Sequence, residues 1–401
     1  MRILQLCIRV PYPPLDGGSI AMYNLQKSLH VNGAKLKVLS FNTIKQMADI
    51  ESLDKDYREM TRIEGIYLDN RIKPFAALFN IFTGESYHII RFIRRDFEEA
   101  LIRILKEETF DIIQLESLYM IPYMEAIRKF SNAKVVLRTH NIEHLIWQRL
   151  ADASTNPLRR WYLNLLAERL RHYEQWALNR VDAIAAMTPE DDKTLKDLGA
   201  EVPTCIAPVG VDISEYPEYP QPDAKTVFHL GAMDWMPNQE GVHWFLNQVW
   251  PKVLTKVPEA KLRLAGKKMP EYLKAYASSS VEVSDFVEDG KLFMGQGGSM
   301  IVPLFSGSGM RVKIVEGMAM GKAILSTSIG AEGIGGTVGK EYLIANDADD
   351  FTEKTIQLLQ QPNLQKELGT NARAYAAEIF DNKAIGARLM EFYSEIQSID
   401  N

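Results

Sequence analysis

The segment that decides the fold is IVPLFSGSGMRVKIVEGMAMGKAILS, residues 301–326. It begins and ends with short apolar runs that are typical of buried strands. Its middle carries apolar residues at helical spacing, which are Val312, Val315, Met318 and Ala319. A strand, a glycine-bearing loop, a helix and a second strand in this order predict a parallel sheet with a helix packed on it.

The same alternation continues on both sides of this segment. Strands are predicted at 2–10, 35–42, 110–116, 134–140, 182–188, 226–232, 261–265, 281–287, 299–304 and 323–327, and long helices at 88–108, 157–179 and 382–396. A proline-rich stretch at 199–225 has little periodicity and is typical of a linker. We therefore expect an α/β protein with Rossmann-like domains at 1–202 and 203–380, followed by a C-terminal helical segment at 381–401.

Composition narrows the class of protein. A net charge of −6 over 401 residues argues against general nucleic-acid binding. The two cysteines, Cys7 and Cys205, lie in apolar runs, so we expect buried thiols and a reducing compartment. No run approaches the ~18 apolar residues of a membrane span, and the N-terminus lacks a signal-peptide layout. These features predict a cytoplasmic protein.

The glycine-bearing loop of residues 301–326 is suited to an anion. Gly307, Ser308, Gly309 and Met310 lead into a helix N-terminus, where backbone N–H groups are free and the helix dipole is positive. This arrangement favours a phosphate or diphosphate group. The four residues are therefore predicted to bind a phosphorylated donor.

Three charged residues follow in the same helix start. Arg311 and Lys313 lie in the first turn, where a cation opposes the helix dipole, so these residues call for an explanation beyond stability. Both can form charge-assisted hydrogen bonds to a bound diphosphate. Glu316 lies one turn further on, and its carboxylate can accept both hydroxyls of a ribose.

The helix EGMAMGKA, residues 316–323, resembles the EAMAxGxPV helix of retaining glycosyltransferases of family four, which have the GT-B fold. Glu316 corresponds to the second glutamate of the family's Glu-x7-Glu pattern, and Ser308 stands at the first. The turn GAMDWMPN, residues 231–238, and the helix start GMRVK, residues 309–313, resemble a subfamily with GxMDWxPN and GxRxK. Arg311 and Lys313 would there replace the phosphate-binding cations that many members carry after the first strand of the second domain.

This resemblance implies two Rossmann-like domains facing across a cleft, with a C-terminal helix crossing back to the first domain. It implies that Glu316 holds the ribose, and that Asp285, Phe286 and Val287 hold the base through main-chain groups. Arg311 and Lys313 would stabilise the leaving diphosphate, with no metal or cofactor.

The first domain offers a second group of candidates. Gly17 and Gly18 permit a close backbone approach to a ligand, and the resemblance places them beside the donor phosphate and the acceptor. It also places His140 near the reacting sugar as a catalytic residue. Asp16 and Asn141 are predicted on the acceptor side.

A rival interpretation uses the same histidine. His140, Glu143 and His144 spell H-x-x-E-H, the signature of an inverted zinc peptidase with Glu143 as general base. The motif begins at the end of a predicted strand instead of within a helix, and no third ligand is evident.

The resemblance thus implies a hexosyltransferase that moves sugar, with retention, from a UDP-, GDP- or ADP-linked donor to a glycan or lipid-linked acceptor in polysaccharide or glycoconjugate biosynthesis. Residues 159–162, with Arg169 and Arg171, suggest contact with the inner face of the cell membrane. No obligate protein partner is evident. A nucleotide-sugar 2-epimerase of the same fold and a non-catalytic sugar-nucleotide binder remain alternatives.

Overall fold

The structure is a computed structural model that describes residues 1–14, 16–71, 86–217, 223–307 and 309–398. The chain divides into two compact units. The first contains Met1–Gly210 and the C-terminal segment from Asn382, and the second contains Val211–Asp381. Each unit has one parallel sheet with helices packed on it, which confirms the predicted α/β class.

The strands are numbered in chain order. They are β1 Arg2–Cys7, β2 Lys35–Thr43, β3 Glu64–Leu68, β4 Ile112–Leu115, β5 Lys134–Thr139, β6 Ala183–Ala186, β7 Thr204–Ile206, β8 Asp223–Leu230, β9 Lys261–Ala265, β10 Val281–Ser284, β11 Gly297–Val302, β12 Ala323–Ser326 and β13 Leu343–Ile344. Apart from β3, β7 and β13, each lies within or overlaps a strand predicted from the sequence.

The helices are numbered in the same way. They are α1 Gly17–Val31, α2 Lys55–Thr61, α3 Tyr87–Ile90, α4 Arg95–Glu107, α5 Met124–Phe130, α6 Glu143–Asp152, α7 Pro157–Leu178, α8 Pro189–Asp197, α9 Met236–Trp244, α10 Trp250–Lys256, α11 Glu271–Lys274, α12 Gly290–Gln296, α13 Val312–Ala319, α14 Ala348–Gln360, α15 Pro362–Ile379 and α16 Asn382–Ser398. In the described part of the chain, no helix is long and apolar enough to cross a membrane.

Both sheets reverse their strand order near the middle. The first has the order β3-β2-β1-β4-β5-β6-β7, and the second has the order β10-β9-β8-β11-β12-β13. In an open parallel sheet, ligands bind beyond the carboxyl ends of the strands at the point where the order reverses. These points lie at β1 and β4 in the first unit and at β8 and β11 in the second.

Helix α16 packs within the first unit against α1. Leu25 and Leu29 of α1 share a buried cluster with Ile385, Leu389 and Tyr393 of α16. A Cβ atom at Gly386 would lie only 2.0 Å from Ser28 Oγ, so glycine permits this close approach. Burial of these apolar side chains supplies the main stabilisation of the contact.

The expected domain boundary at 202 and 203 differs from the division at Gly210 and Val211. The reason is strand β7, which extends the first sheet by pairing with β6 inside the stretch interpreted as a linker. The predicted helix 88–108 is likewise two helices, α3 and α4. The Tyr123 hydroxyl donates to Phe92 O at 2.6 Å and accepts from Arg94 N at 3.0 Å, and this contact holds the break.

The two cysteines were expected to be buried thiols. Cys7 is buried, Cys205 is partly buried, and both are free. Burial raises the pKa of both thiols, so neither favours the reactive thiolate form.

Gly241 on α9 fixes the approach of this helix to the chain that leaves β11. A Cβ atom there would lie 1.8 Å from Pro303 O, a backbone atom that cannot rotate away. Gly290, the first residue of α12, is different because its Cβ would lie 3.3 Å from a Leu230 methyl group.

We expect Gly241→Ala to lower the free energy of unfolding by about 1–3 kcal/mol, since overpacking outweighs the better helix propensity of alanine. Urea denaturation of the whole chain measures this change. The matched Gly290→Ala variant should stay within about 1 kcal/mol of wild type, because the Leu230 side chain can move. A Gly241→Ala variant as stable as wild type would contradict this packing.

Candidate active site

The loop after β11 has the conformation that its glycines predict. Gly307 has φ 100° and Gly309 has φ 78°, the left-handed region in which a residue without Cβ is favoured. Ser308 lies outside the described residues. Helix α13 begins at Val312, slightly later than the sequence indicated near Met310, and Arg311 is its N-cap.

The loop brings Arg311 onto an aromatic ring of the preceding turn. The Arg311 guanidinium carbon lies 5.2 Å from the centre of the Trp235 ring, and Nη1 donates to Gly309 O at 2.6 Å. A Cβ atom at Gly307 would lie 2.7 Å from the same ring. The turn at 231–238 and the helix start at 309–313 therefore form one structure, with a buried guanidinium in it.

Two neutral acceptors hold the ammonium group of Lys313. Its Nζ donates to Asn238 Oδ1 at 2.9 Å and to His229 Nε2 at 3.3 Å. Asn238 Nδ2 donates to Ala232 O at 2.8 Å, which turns Oδ1 towards the lysine. His229 Nδ1 donates to Ile301 O at 2.9 Å, which leaves Nε2 as an acceptor. Lys313 forms no ion pair with a carboxylate among the described residues.

This environment makes the charge of Lys313 sensitive to its surroundings. Burial and the nearby Arg311 lower the pKa of Lys313 to about 7, and the opposing effect of Glu316 is smaller. Burial and the Lys313 charge also hold the pKa of His229 well below its ordinary value, so the imidazole is neutral. An anion placed beside Lys313 would raise the lysine pKa again, because opposite charge favours the protonated form.

Glu316 points to a second aromatic residue. Tyr216 donates its hydroxyl to Glu316 Oε1 at 2.9 Å, and Lys291 Nζ lies 4.3 Å from the centre of the Tyr216 ring. Burial raises the pKa of Glu316, while the Tyr216 hydrogen bond and the charges of Lys291 and Lys313 oppose this rise. The carboxylate is thus held in one orientation on the first two turns of α13.

The predicted base-binding turn follows β10. Asp285 forms an ion pair with Lys274 at 2.7 Å, so its side chain points to α11. Phe286 is 73% exposed, and Val287 packs on the core of the second unit. The main chain here lies at a strand end of the same sheet as β8 and β11, two strands from β8.

The residues of the second unit meet at the reversal point of its sheet. His229 is near the end of β8, and Lys313 and Arg311 follow β11, the strand that pairs with β8. The sequence predicted the strands and the helix start separately. The structure joins them into one polar group at the position where α/β sheets bind ligands.

In the first unit, His140 contacts a buried carboxylate. Its Nε2 lies 2.7 Å from Glu116 Oε2, and Arg138 Nη1 lies 3.2 Å from the same oxygen. Burial alone would raise the pKa of Glu116, but Arg138 and His140 outweigh burial and lower it. For His140, burial lowers the pKa and outweighs Glu116.

The glycines after β1 stand at the start of α1. Asp16 caps this helix by accepting from Ser19 N at 2.9 Å, and it forms an ion pair with Arg9 at 2.8 Å. Gly17 is exposed, and a Cβ atom at Gly18 would lie 2.8 Å from Arg9 Nη2. Asp16 therefore has a structural role as a helix cap and as a partner of Arg9.

The residues of the H-x-x-E-H motif do not point to one centre. His140 lies before α6 and contacts Glu116, whereas His144 lies within α6 with Nδ1 2.7 Å from Glu174 Oε2. Tyr119 donates to Glu143 Oε2 at 2.7 Å. Across the described ranges, no group of three His, Cys, Asp or Glu residues is placed to hold a metal ion. Asn141 lies partly buried in the same short connection.

Sequence reasoning missed several residues of these groups. His229 is a polar residue within the apolar strand TVFHLGA, and such a residue needs a hydrogen-bond partner when buried, which is a usable signal. Glu116 directly follows the buried strand β4, so it too needs a hydrogen-bond partner, and this signal could have identified it. Tyr216 lies a hundred residues from Glu316 in the chain, and nothing local to its sequence indicates their contact.

Comparisons with known proteins agree with this architecture. The family model "Glycosyltransferase Family 4" matches residues 15–215, and the model "Glycosyl transferases group 1" matches residues 224–361. A Klebsiella pneumoniae protein described as "Uncharacterized 44.6 kDa protein in cps region" is 22% identical over 397 residues, covering 96% of this chain and 97% of its own length.

Solved structures show the same fold over nearly the whole chain. Sucrose-phosphate synthase from Thermosynechococcus elongatus has a TM-score of 0.72 at 16% identity, covering 99% of this chain and 100% of its own. Anabaena HepE in complex with UDP has a TM-score of 0.70 at 14% identity, covering 98% and 100%. An S. aureus TarM variant in complex with UDP has 0.68 at 11%, covering 98% and 100%.

These neighbours and the two parallel sheets establish the GT-B fold that the sequence predicted. The family 4 model spans half of the chain, from residue 15 to residue 215. The group 1 glycosyl transferase model matches the second unit, which carries Arg311, Lys313 and Glu316. The chain therefore belongs to glycosyltransferase family 4.

Proposed function

We propose that this glycosyltransferase moves a hexose from a nucleoside diphosphate-sugar to a hydroxyl group of a glycan or lipid-linked acceptor. The observation that carries the proposal is the Lys313 ammonium, which is held by neutral acceptors beside Arg311 and forms no ion pair with a carboxylate in the described part of the chain. A partly buried ammonium that is held by neutral acceptors beside a guanidinium favours an anionic ligand.

The diphosphate of the donor is the anion that fits this group best. Backbone N–H groups at the start of α13, including those after Gly309, add the positive end of a helix dipole. Negative charge grows on the diphosphate as its bond to the sugar breaks, and groups already in place stabilise it without reorganisation. Arg311 and Lys313 thus act as the catalytic cations, and no metal or cofactor is needed.

We propose contacts for the ribose and the base of the donor as well. Glu316, oriented by Tyr216, accepts the ribose hydroxyls, and main-chain groups of Asp285, Phe286 and Val287 hold the base. The loop residues from Gly307 to Met310 hold the phosphates. Structural neighbours crystallised with UDP support a UDP-linked donor, with GDP- and ADP-linked sugars as the other candidates.

The first unit contributes His140 near the reacting sugar, held by Glu116. Gly17 and Gly18 permit a close approach of the backbone, and Asp16 and Asn141 are the acceptor-side residues. In the proposed step, the acceptor oxygen bonds to the anomeric carbon on the face from which the diphosphate leaves. Attack on this face retains the anomeric configuration. The acceptor proton passes to an oxygen of the leaving phosphate.

We place the reaction in polysaccharide or glycoconjugate biosynthesis, in the cytoplasm at the inner face of the cell membrane. The Klebsiella relative in a cps region supports the polysaccharide assignment. A membrane contact fits the start of α7, where Leu158 is 78% exposed and Trp161 is 57% exposed beside the exposed Arg159 and Arg160. Apolar and basic side chains together suit an anionic lipid surface.

Lys313→Ala and Arg311→Ala should each lower turnover by ~10²-fold or more, because each removes a group that stabilises the leaving diphosphate. The measurement is sugar transfer from the donor that gives the largest thermal shift in a panel of UDP-, GDP- and ADP-sugars. Lys252→Ala, at an exposed ion pair with Asp349, is the matched control and should leave turnover unchanged. Turnover of the Lys313 variant within twofold of wild type would refute the assignment.

Excess chelator should leave the transfer rate unchanged, since the protein's own cations compensate the diphosphate charge. Proton NMR of the first product formed should show the anomeric configuration of the donor. A rate that collapses in chelator and returns with Mg²⁺ would contradict the metal-free step, and an inverted product would contradict retention. Release of an altered sugar without any acceptor would indicate the epimerase instead.

The wild-type protein should sediment with vesicles that contain phosphatidylglycerol, and less so as salt rises, because screening weakens the attraction. Leu158→Glu combined with Trp161→Glu should abolish this binding. The control is Trp176→Glu, since Trp176 is 50% exposed on the same helix but lies 3.9 Å from the Arg180 guanidinium. Equal sedimentation of the double variant and wild type would exclude this surface.

A further inference from the structure

His229 is a titratable residue in the middle of an apolar environment. It lies on β8, its side chain has no exposed surface, and both of its ring nitrogens have partners. A buried imidazole without a hydrogen-bond partner would lower the stability of the fold compared with an apolar residue of similar size. Its two contacts therefore indicate what the residue does.

The contacts fix the tautomer of the ring. Ile301 O is a backbone carbonyl and can only accept, so Nδ1 carries the hydrogen. Lys313 Nζ, 3.3 Å from Nε2, can only donate when charged, so Nε2 offers its lone pair. A doubly protonated ring would place a second positive charge against the lysine, and the lowered pKa of His229 agrees with the neutral form.

The Lys313 ammonium lies close to the backbone of Gly231, and the absence of a Cβ atom there leaves room for it. A Cβ atom at this residue would lie 2.4 Å from Lys313 Nζ and 2.8 Å from Asn238 Nδ2. His229, Asn238 and the backbone of Gly231 thus surround one position for Nζ beyond the end of β8. A flexible lysine side chain is confined there, which reduces the ordering that a ligand must impose.

We infer that His229 is a positioning residue for sugar transfer, which holds the Lys313 ammonium through its Nε2 lone pair at the place where the donor diphosphate binds. The inference rests on the role proposed above for Lys313. His229 touches neither donor nor acceptor in this account, and it acts through the lysine alone.

A pH dependence follows from the charges that face Lys313. These are Arg311 before α13, which disfavours the ammonium form, and Glu316 one turn further, which favours it, while His229 and Asn238 are neutral. Since the pKa of Lys313 is about 7, the free protein loses the ammonium charge as pH rises through this value. Bound diphosphate raises the pKa, so donor binding takes up a proton and weakens at higher pH.

The test compares two amides at position 229. In His229→Asn, the amide nitrogen takes the place of Nδ1 and keeps the bond to Ile301 O, but nothing reaches Lys313. In His229→Gln, the amide oxygen reaches the position of Nε2 and accepts from Lys313. We expect kcat to fall roughly tenfold to a hundredfold in His229→Asn, and less in His229→Gln, with KM changing less than kcat.

The pH profile of kcat/KM gives a readout that a purely structural role would not change. In His229→Asn, the alkaline limb near pH 7 should move to lower pH, because the ammonium loses an acceptor. His243→Asn, at an exposed histidine of α9, is the matched control and should leave the profile unchanged. Thermal melting shows whether each variant is folded.

Gly231→Ala keeps His229 and displaces Nζ, so it should lower kcat as well, and it tests the inference if the position 229 variants do not fold. If kcat of His229→Asn equals or exceeds kcat of His229→Gln, the inference about His229 is overturned. The proposed function still stands in that case if Lys313→Ala has lost turnover. If Lys313→Ala matches wild type, the proposed role of the lysine fails instead. The two failures are therefore distinguishable.

Discussion

The candidate site depends on one arrangement, an ammonium group confined between two neutral acceptors and beside a guanidinium. Lys313 donates to Asn238 and His229, and Arg311 lies on Trp235 close by. A carboxylate at this position would neutralise the lysine and compete with an anionic ligand. With neutral acceptors instead, the lysine is held in place and its charge remains available to a diphosphate.

The strand order of the second sheet and three glycines bring the residues of this site together. The reversal of strand order makes β8 and β11 neighbours, so residues after both strands reach the same edge of the sheet. Three glycines permit the close approaches there: Gly231 beside the ammonium, Gly241 against Pro303 O and Gly307 against Trp235. A methyl group at any of them would displace the backbone, a charged group or the Trp235 ring.

The sequence predicted the regular parts of this protein better than its contacts. The buried strands have apolar runs and the loop before α13 has two glycines, so local sequence patterns predicted both. Strand β7 has three residues within a proline-rich stretch at the edge of its sheet, where the local signal is weak. The break before α4 depends on Tyr123, and the orientation of Glu316 depends on Tyr216, so both require the tertiary structure.

The most direct test of this account is proton uptake on donor binding. Titration calorimetry with the nucleotide-sugar that gives the largest thermal shift, in buffers of different ionisation enthalpy at pH 7.5, measures the number of protons taken up per donor bound. Because the Lys313 pKa is about 7 in the free protein and rises beside a diphosphate, we expect uptake of between about half a proton and one, and none in Lys313→Met. Donor binding to the wild-type protein without proton uptake would contradict the account.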